Sequence, residues 1–312
     1  SATTTEDKIK YLEEMMGTIP KHKGTDHLRA DLRKKISKLK SAATSKKVSK
    51  KQASPYHINK EGAGQIIIIG CTNVGKSSLV STQTNADPEV SEVPFTTWTP
   101  MPGMMAIDNI QVQLIDTPPF SEDYIDPEFL NLIRRADLVL IMIDLHANPV
   151  KELEFTLQRL QDNRIAPNFL EGQLESAGFL LYVPTLIAVN KYDSEDYHEV
   201  YQIFIEDLAQ DYPMVPVSVQ TGKNLDILKK SIFDLLGVIR VYSKAPGKEV
   251  DKIAPFVVDM GIRLGDFAGK VHKDFQENLK SARIWGTSAD FPGQMVSREH
   301  VLEDEDVVEL QI

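Results

Sequence analysis

Four consecutive isoleucines at 66–69 run without a break into Gly70-Cys71-Thr72-Asn73-Val74-Gly75-Lys76-Ser77. No other stretch of the chain restricts its fold so tightly. A strand that is apolar throughout must be buried on both faces. Two glycines with Lys-Ser directly behind the second call for a tight turn that opens into a helix. The segment therefore commits this part of the chain to an α/β arrangement.

The same alternation continues downstream. Apolar runs at 112–115, 138–143 and 184–189 read as further buried strands. Helical periodicity appears near 76–84, 126–136, 149–164, 195–210 and 222–236. This pattern predicts a mostly parallel sheet covered by helices over 62–237. Beyond Gly237 the elements shorten, with strands over 238–242, 282–285 and 306–311 and one helix near 265–279, which predicts a small α+β domain over 238–312. Ahead of the sheet, 6–16 and 25–43 are amphipathic. Leu28, Leu32, Ile36 and Leu39 recur at helical spacing among lysines and arginines, and a Ser/Lys/Gln run follows. Residues 1–61 are therefore expected to form a basic helical arm and linker.

Charge separates these parts. Residues 1–60 carry 15 Lys and Arg against 6 Asp and Glu, whereas 61–312 carry 20 against 39. A basic arm on an acidic body points to a polyanionic partner for the arm alone, with Lys34, Lys35, Lys38, Lys40, Lys46, Lys47, Lys50 and Lys51 as its cationic face. A solvated tail, or an arm packed on the acidic body, is the plainer alternative. The longest apolar stretch, 179–189, is 11 residues and holds Pro184, about half of what a helix needs to cross hydrocarbon. With no basic and apolar leader pattern at the start and a single cysteine, Cys71, a membrane partner is not expected and a reducing cytoplasmic setting is. The seven histidines show no metal-ligand spacing.

The 70–77 turn has the residue types that hold a polyphosphate. Its backbone N–H groups converge on an anion, and the helix N-terminus adds roughly half a positive charge. Lys76 offers an ammonium to the β- and γ-phosphates, and Ser77 a hydroxyl to Mg²⁺. The expected phosphate-binding set is Gly70, Asn73, Val74, Gly75, Lys76, Ser77 and Ser78. Asp116, at the end of the strand over 112–115, is placed to hold Mg²⁺ through water. Thr96 and Thr97, in Pro94-Phe95-Thr96-Thr97, are a candidate switch loop, with Thr97 completing the metal shell; a plain polar loop is the alternative. Asn190-Lys191-Tyr192-Asp193 follows another buried strand, where ligands of such sheets bind. A carboxylate at Asp193 accepts from both N1–H and the exocyclic amine of guanine and mismatches adenine, so GTP is the expected nucleotide and ATP the disfavoured one. Lys191 is expected along the base, Asn190 as a tie to the phosphate loop, Ser194 as the cap of the next helix, and the Ser218 and Val219 backbone near the guanine oxygen.

These sites, in this order, resemble the G1, G3, G4 and G5 motifs of a translation-factor-class P-loop GTPase, and Pro94-Phe95-Thr96-Thr97 resembles the G2 loop of the Obg/DRG group. The arm resembles the basic N-terminus of the DRG (developmentally regulated GTP-binding) type. Ala282-Arg283-Ile284-Trp285-Gly286 and Phe291-Pro292-Gly293-Gln294 resemble a TGS domain, a β-grasp module. The resemblance implies slow GTP hydrolysis, a GTP/GDP switch, Mg²⁺, and association with ribosomes or RNA through the arm and the TGS domain. It implies catalytic roles for Lys76 and Thr97. It also implies that Asn73 coordinates K⁺, as in some relatives; an Asn that only bonds within its loop is the alternative.

The sequence departs from that pattern in three ways. The third motif reads Asp116-Thr117-Pro118-Pro119; the family has Gly in the last place, and Pro119 has no N–H to give a γ-phosphate. Phe120 stands where many GTPases carry a water-orienting Gln, so a low intrinsic rate is expected. The segment between Asp144 and Asn190 is too short for the extra domain that DRG proteins insert in their core. A GTP/GDP-binding scaffold with little or no hydrolysis is the rival reading. The acidic run at 303–306 reads as a solvated turn.

Overall fold

The computed structural model describes residues 54–85, 100–120, 125–174 and 178–311. The chain divides into two units, Ser1–His57 and Ile58–Ile312. The helices expected over 6–43 lie outside the described residues, and the account below concerns the second unit.

Its first sheet has six strands in the order β2-β3-β1-β4-β7-β8. They are β1 (Gln65–Ile69), β2 (Met101–Ile107), β3 (Ile110–Asp116), β4 (Leu138–Asp144), β7 (Thr185–Asn190) and β8 (Met214–Pro216). All neighbours run parallel except β2, which pairs antiparallel with β3. Every residue of β1, β4 and β7 is buried, as the unbroken apolar runs require. Burying each isoleucine of β1 contributes roughly 1.5–3 kcal/mol, so apolar packing adds to the strand pairing that holds the sheet centre.

The covering helices are α1 (Lys76–Gln83), α2 (Pro127–Arg135), α3 (Pro149–Asp162), α4 (Tyr197–Glu206) and α5 (Leu225–Leu236). Leu79 and Val80 of α1 and Leu225, Leu228 and Ile232 of α5 close over one face of the sheet. Local chemistry starts α2 and α3. Asp126 accepts from Glu128 N at 2.8 Å and Asn148 from Lys151 N at 3.1 Å, each followed by a proline in the first turn.

Two elements differ from the sequence reading of this domain. Strand β2, which is not among the strands expected from the sequence, carries Pro102 and Gly103. At a sheet edge a proline needs no donor, and Gly103 lets the strand pass Thr84, whose Oγ1 would lie 2.4 Å from any Cβ there. The apolar stretch before Asn190 is two strands. Pro184 separates β6 (Leu181–Val183), which pairs with β5 (Ile165–Pro167), from β7.

The second sheet is mixed, in the order β10-β9-β13-β11-β12, from β9 (Val238–Ser243), β10 (Phe256–Asp259), β11 (Ser281–Trp285), β12 (Gln294–Val296) and β13 (Val307–Gln311). Helix α6 (Leu264–Val271) buries Leu264, Phe267 and Ala268 against it. The single helix expected over 265–279 breaks at the extended residue His272, whose Nδ1 accepts from Asp274 N at the start of α7 (Lys273–Asn278). Strand β13 is the central strand and runs parallel to β9 beside it, the arrangement of a β-grasp fold. The acidic run is not simply solvated. Asp306 is fully buried and accepts from Glu303 N and Ser288 N, and Asp304 pairs with Arg240 at 2.6 Å.

Arg240 joins the two sheets. It is stacked on Phe233 of α5 at 5.1 Å and reaches Asp108, at the tip of the β2–β3 hairpin, at 3.2 Å. Asn109 beside it donates to the Tyr242 hydroxyl at 2.7 Å and to the Lys252 carbonyl at 3.1 Å.

Candidate nucleotide-binding site

The C-terminal ends of β1, β3, β4 and β7 form one edge of the first sheet, and the strand order reverses across β1, where such folds bind ligands. The turn after β1 uses three left-handed residues, Gly70 (φ 153), Asn73 (φ 64) and Gly75 (φ 101). Asparagine tolerates this region better than most side chains. A Cβ on Gly70 would lie 2.3 Å from the Met142 carbonyl oxygen, and one on Gly75 would lie 2.3 Å from Asn190 Nδ2. The two glycines thus press the turn against β4 and β7. Gly75 leads into α1, which has no side-chain cap and no acidic residue in its first turn. Its leading N–H groups therefore face the loop without a competing carboxylate.

Lys76 is buried, and its ammonium donates to the carbonyls of Gly70 at 3.0 Å and Cys71 at 2.8 Å. Among the described residues no carboxylate forms an ion pair with it. Burial pulls its pKa down, against the attraction of Asp116, Cys71 and Glu152. A buried cation facing main-chain dipoles suits an anionic ligand. Asp116 ends β3 with its Oδ2 2.5 Å from Ser77 Oγ. Burial pushes this carboxyl up, opposed by the Ser77 hydrogen bond and by Lys76. A hydroxyl and a carboxylate converging beside the phosphate turn form an oxygen donor set that fits Mg²⁺. Ser78 follows on α1, exposed, and Val74 is fully buried. Thr96 and Thr97 lie outside the described residues.

Neither Pro119 nor Phe120 has a main-chain N–H left for a phosphate, since proline carries none. The Phe120 N–H is given to the Gly70 carbonyl at 3.0 Å. Its ring is fully buried, edge-on to Phe129 at 6.0 Å.

At the other end of the edge, Asn190 donates from Nδ2 to the Val74 carbonyl at 2.8 Å and accepts from Val219 N at 3.1 Å. One side chain thus ties the phosphate turn, β7 and the 218–222 turn together. Ser218 Oγ donates to Asp193 Oδ1 at 2.5 Å, and Thr221 N donates to Ser218 Oγ at 3.1 Å, which orients the carboxylate. Lys191 adopts φ 69 and pairs with Asp144 Oδ2. Ser194 does not cap α4; its hydroxyl donates to Asp196 at 3.3 Å, and Asp196 is the cap residue, with no side-chain bond to the N–H groups of the first turn. Asp144 and Glu152 belong to this neighbourhood although neither stands out in the sequence. Each is one carboxylate near an apolar strand; the β4–β7 register brings Asp144 beside Lys191, and the first turn of α3 brings Glu152 behind it.

A family model described as a 50S ribosome-binding GTPase matches residues 65–171, and a TGS domain model matches 239–311. A GTP-binding protein of Methanocaldococcus jannaschii is 30% identical, with 98% of this chain and 93% of that protein covered. Developmentally-regulated G-protein 3 of Arabidopsis thaliana is 28% identical over 99% of both chains. The chain belongs to the Obg/DRG-type GTP-binding family. In fold, this DRG-type chain resembles the YchF GTPase of Schizosaccharomyces pombe, with a TM-score of 0.58 at 13% identity over 81% of this chain and 99% of that one. As a P-loop GTPase of this family it is a GTP-binding protein, and such enzymes generally use Mg²⁺. No helix among the described residues is long and apolar enough to cross a membrane.

Proposed function

We propose that this DRG-type protein is a slow GTPase that switches between GTP and GDP states in contact with the ribosome or RNA. The observation that carries the reading is the Asn190 bridge to Val74, which joins the phosphate turn to the Asn190–Asp193 loop at one sheet edge. A nucleotide lying along that edge meets a phosphate cradle at one end and a guanine acceptor at the other. In this reading 1–61 is the basic arm and linker, 62–237 the GTPase domain and 238–312 the TGS domain.

Asp193 accepts from guanine, with Ser218 holding one of its oxygens and the Ser218 and Val219 backbone beside the base. The N–H groups of the 73–78 turn and the Lys76 ammonium take the β- and γ-phosphates, so charge that develops on the transferring group meets fixed donors. Ser77, Thr97 and, through water, Asp116 would hold Mg²⁺, which would supply positive charge to the phosphate oxygens. Water attacks in line, and Lys76 and Thr97 are the catalytic residues. No side chain is assigned as general base. Asn73 is proposed to bind K⁺ beside the phosphates.

A second reading, a GTP/GDP-binding scaffold without meaningful turnover, draws on Pro119 and Phe120. Pro119 has no N–H, and that of Phe120 is already given to Gly70. Ribosome or RNA association is supported by the description of the matching family model and by the charge of the arm. A cytoplasmic location follows from it.

Single-turnover hydrolysis of GTP with Mg²⁺ tests the choice, with Lys76→Ala as the blank. Phosphate release above the blank, and faster in K⁺ than in Na⁺ buffer, is expected. Release no faster than the blank selects the scaffold, and equal rates in the two buffers remove the K⁺ role. Deleting residues 1–60 is expected to weaken RNA binding and flatten its dependence on salt.

A further inference from the structure

Lys191 is the only residue of the base loop with positive φ, at 69°, and its side chain does not extend freely into solvent. Its ammonium is held by Asp144 Oδ2, with the Asp144 side chain 12% exposed and that of Lys191 35%. Asp144 is the last residue of β4 and lies directly beside Asn190 in the β4–β7 register. Leu145 N donates to the Asn190 carbonyl at 3.1 Å, so the two strand ends leave the sheet locked together. The other Asp144 oxygen, Oδ1, accepts from His146 N at 2.9 Å. Behind it Glu152, from the first turn of α3, accepts from Asp144 N at 2.9 Å. The backbone of Asp144 is therefore held by its strand and by Glu152, and its carboxylate by the His146 N–H and the Lys191 ammonium.

From this geometry we propose that Asp144 is a positioning residue of the guanine site, which presets the Lys191 side chain along the base and is itself anchored by Glu152. The proposal rests on the guanine-site reading above. Its physical basis is preorganisation. A lysine has four rotatable bonds and loses much of their freedom when it lies along a ligand. If an ion pair already holds the ammonium before the nucleotide arrives, that loss does not count against binding. Glu152 lies within electrostatic reach of both Lys191 and Lys76, so the clamp stands between the base end and the phosphate end of the edge.

The test is a double-mutant cycle on the full chain, read as the GDP dissociation constant in Mg²⁺ buffer by calorimetry. Asp144→Asn keeps an oxygen for His146 N and removes the charge; it is expected to weaken GDP binding about tenfold, the equilibrium equivalent of freeing one lysine side chain. In a Lys191→Ala background the same change is expected to add less than about twofold, because its effect runs through Lys191. Asp144→Glu is expected to recover part of the loss. Equal weakening in both backgrounds, unchanged affinity, or tighter binding by Asp144→Asn overturns the proposal. Should Asp144→Asn fail to fold, as judged by circular dichroism, Asp144→Ser carries the same expectations and decides. If the unaltered chain takes up no GDP at all, the guanine-site reading falls and this proposal with it; tight GDP binding with no effect at 144 removes the proposal alone.

Discussion

Asn190 reaches across the sheet edge to the carbonyl of Val74 at 2.8 Å, so the 70–77 turn and the Asn190–Asp193 loop, the two halves of the proposed nucleotide site, are tied by one side chain. Both amide atoms are used, the second by Val219 N. Asn190→Ala strands a buried carbonyl and a buried N–H. The expected cost is about 2–3 kcal/mol in urea unfolding of the nucleotide-free chain, together with a loss of guanine nucleotide affinity. Unchanged stability would show that water replaces both bonds.

In the proposed site Asp193 sets the purine. Guanine offers N1–H and an amine, both donors, to a carboxylate. An Asn there presents one acceptor and one donor, which matches xanthine, with its carbonyl in place of the amine. Asp193→Asn is expected to weaken GDP binding by about 100-fold or more and to raise xanthosine diphosphate binding. Competition against a fluorescent GDP measures both.

Lys76 carries a charge that burial penalises. Its folded pKa lies below the ordinary lysine value of 10.5, chiefly through burial. The penalty is full below the lowered value and is relieved as pH rises from there towards 10.5, where the unfolded chain holds the proton longer. Lys76→Met is therefore expected to stabilise the nucleotide-free chain by about 1 kcal/mol at neutral pH, with the gain shrinking in alkali, while GTP affinity falls about 100-fold. Melting curves of both proteins across pH check the sign.

Arg240 holds the second sheet to the first. Burial alone would raise the Asp304 carboxyl, but the Arg240 guanidinium outweighs it and holds Asp304 below its usual value of 3.8. Its stabilising contribution is complete above that value and is lost as pH falls through the lower folded one. Arg240→Ala is expected to cost about 2 kcal/mol at neutral pH, and the gap between the two proteins to narrow below about pH 4. A constant gap down to pH 2 would remove Asp304 from the account.

The most legible parts of the site are those where one residue type has few other uses. Gly70 and Gly75 behind an all-isoleucine strand, and Asn190 and Asp193 after another, announce their turns because a buried strand has to end in a loop at the sheet edge. Strand β2 is illegible because Pro102 and Gly103 signal a turn and only pairing with β3 overrides them. The break at His272 hides within continuous helical periodicity. Asp306 reads as surface because its partners, Glu303 N and Ser288 N, are backbone groups that no pattern of side chains reveals. Asp144 fails for a related reason: its meaning comes from the register of β4 on β7, a long-range fact.

The buried ring of Phe120 sets a limit on how this scaffold can change. A glutamine in its place would inherit a pocket beside Phe129 and a main-chain N–H already committed to Gly70, so its amide would sit unsolvated in the core at about 1–3 kcal/mol before it met any water molecule. A glutamine at 120 alone is thus not expected to reach an attacking water. Positioning that water requires the whole backbone after Pro118 to take another path, or a group delivered by a second molecule.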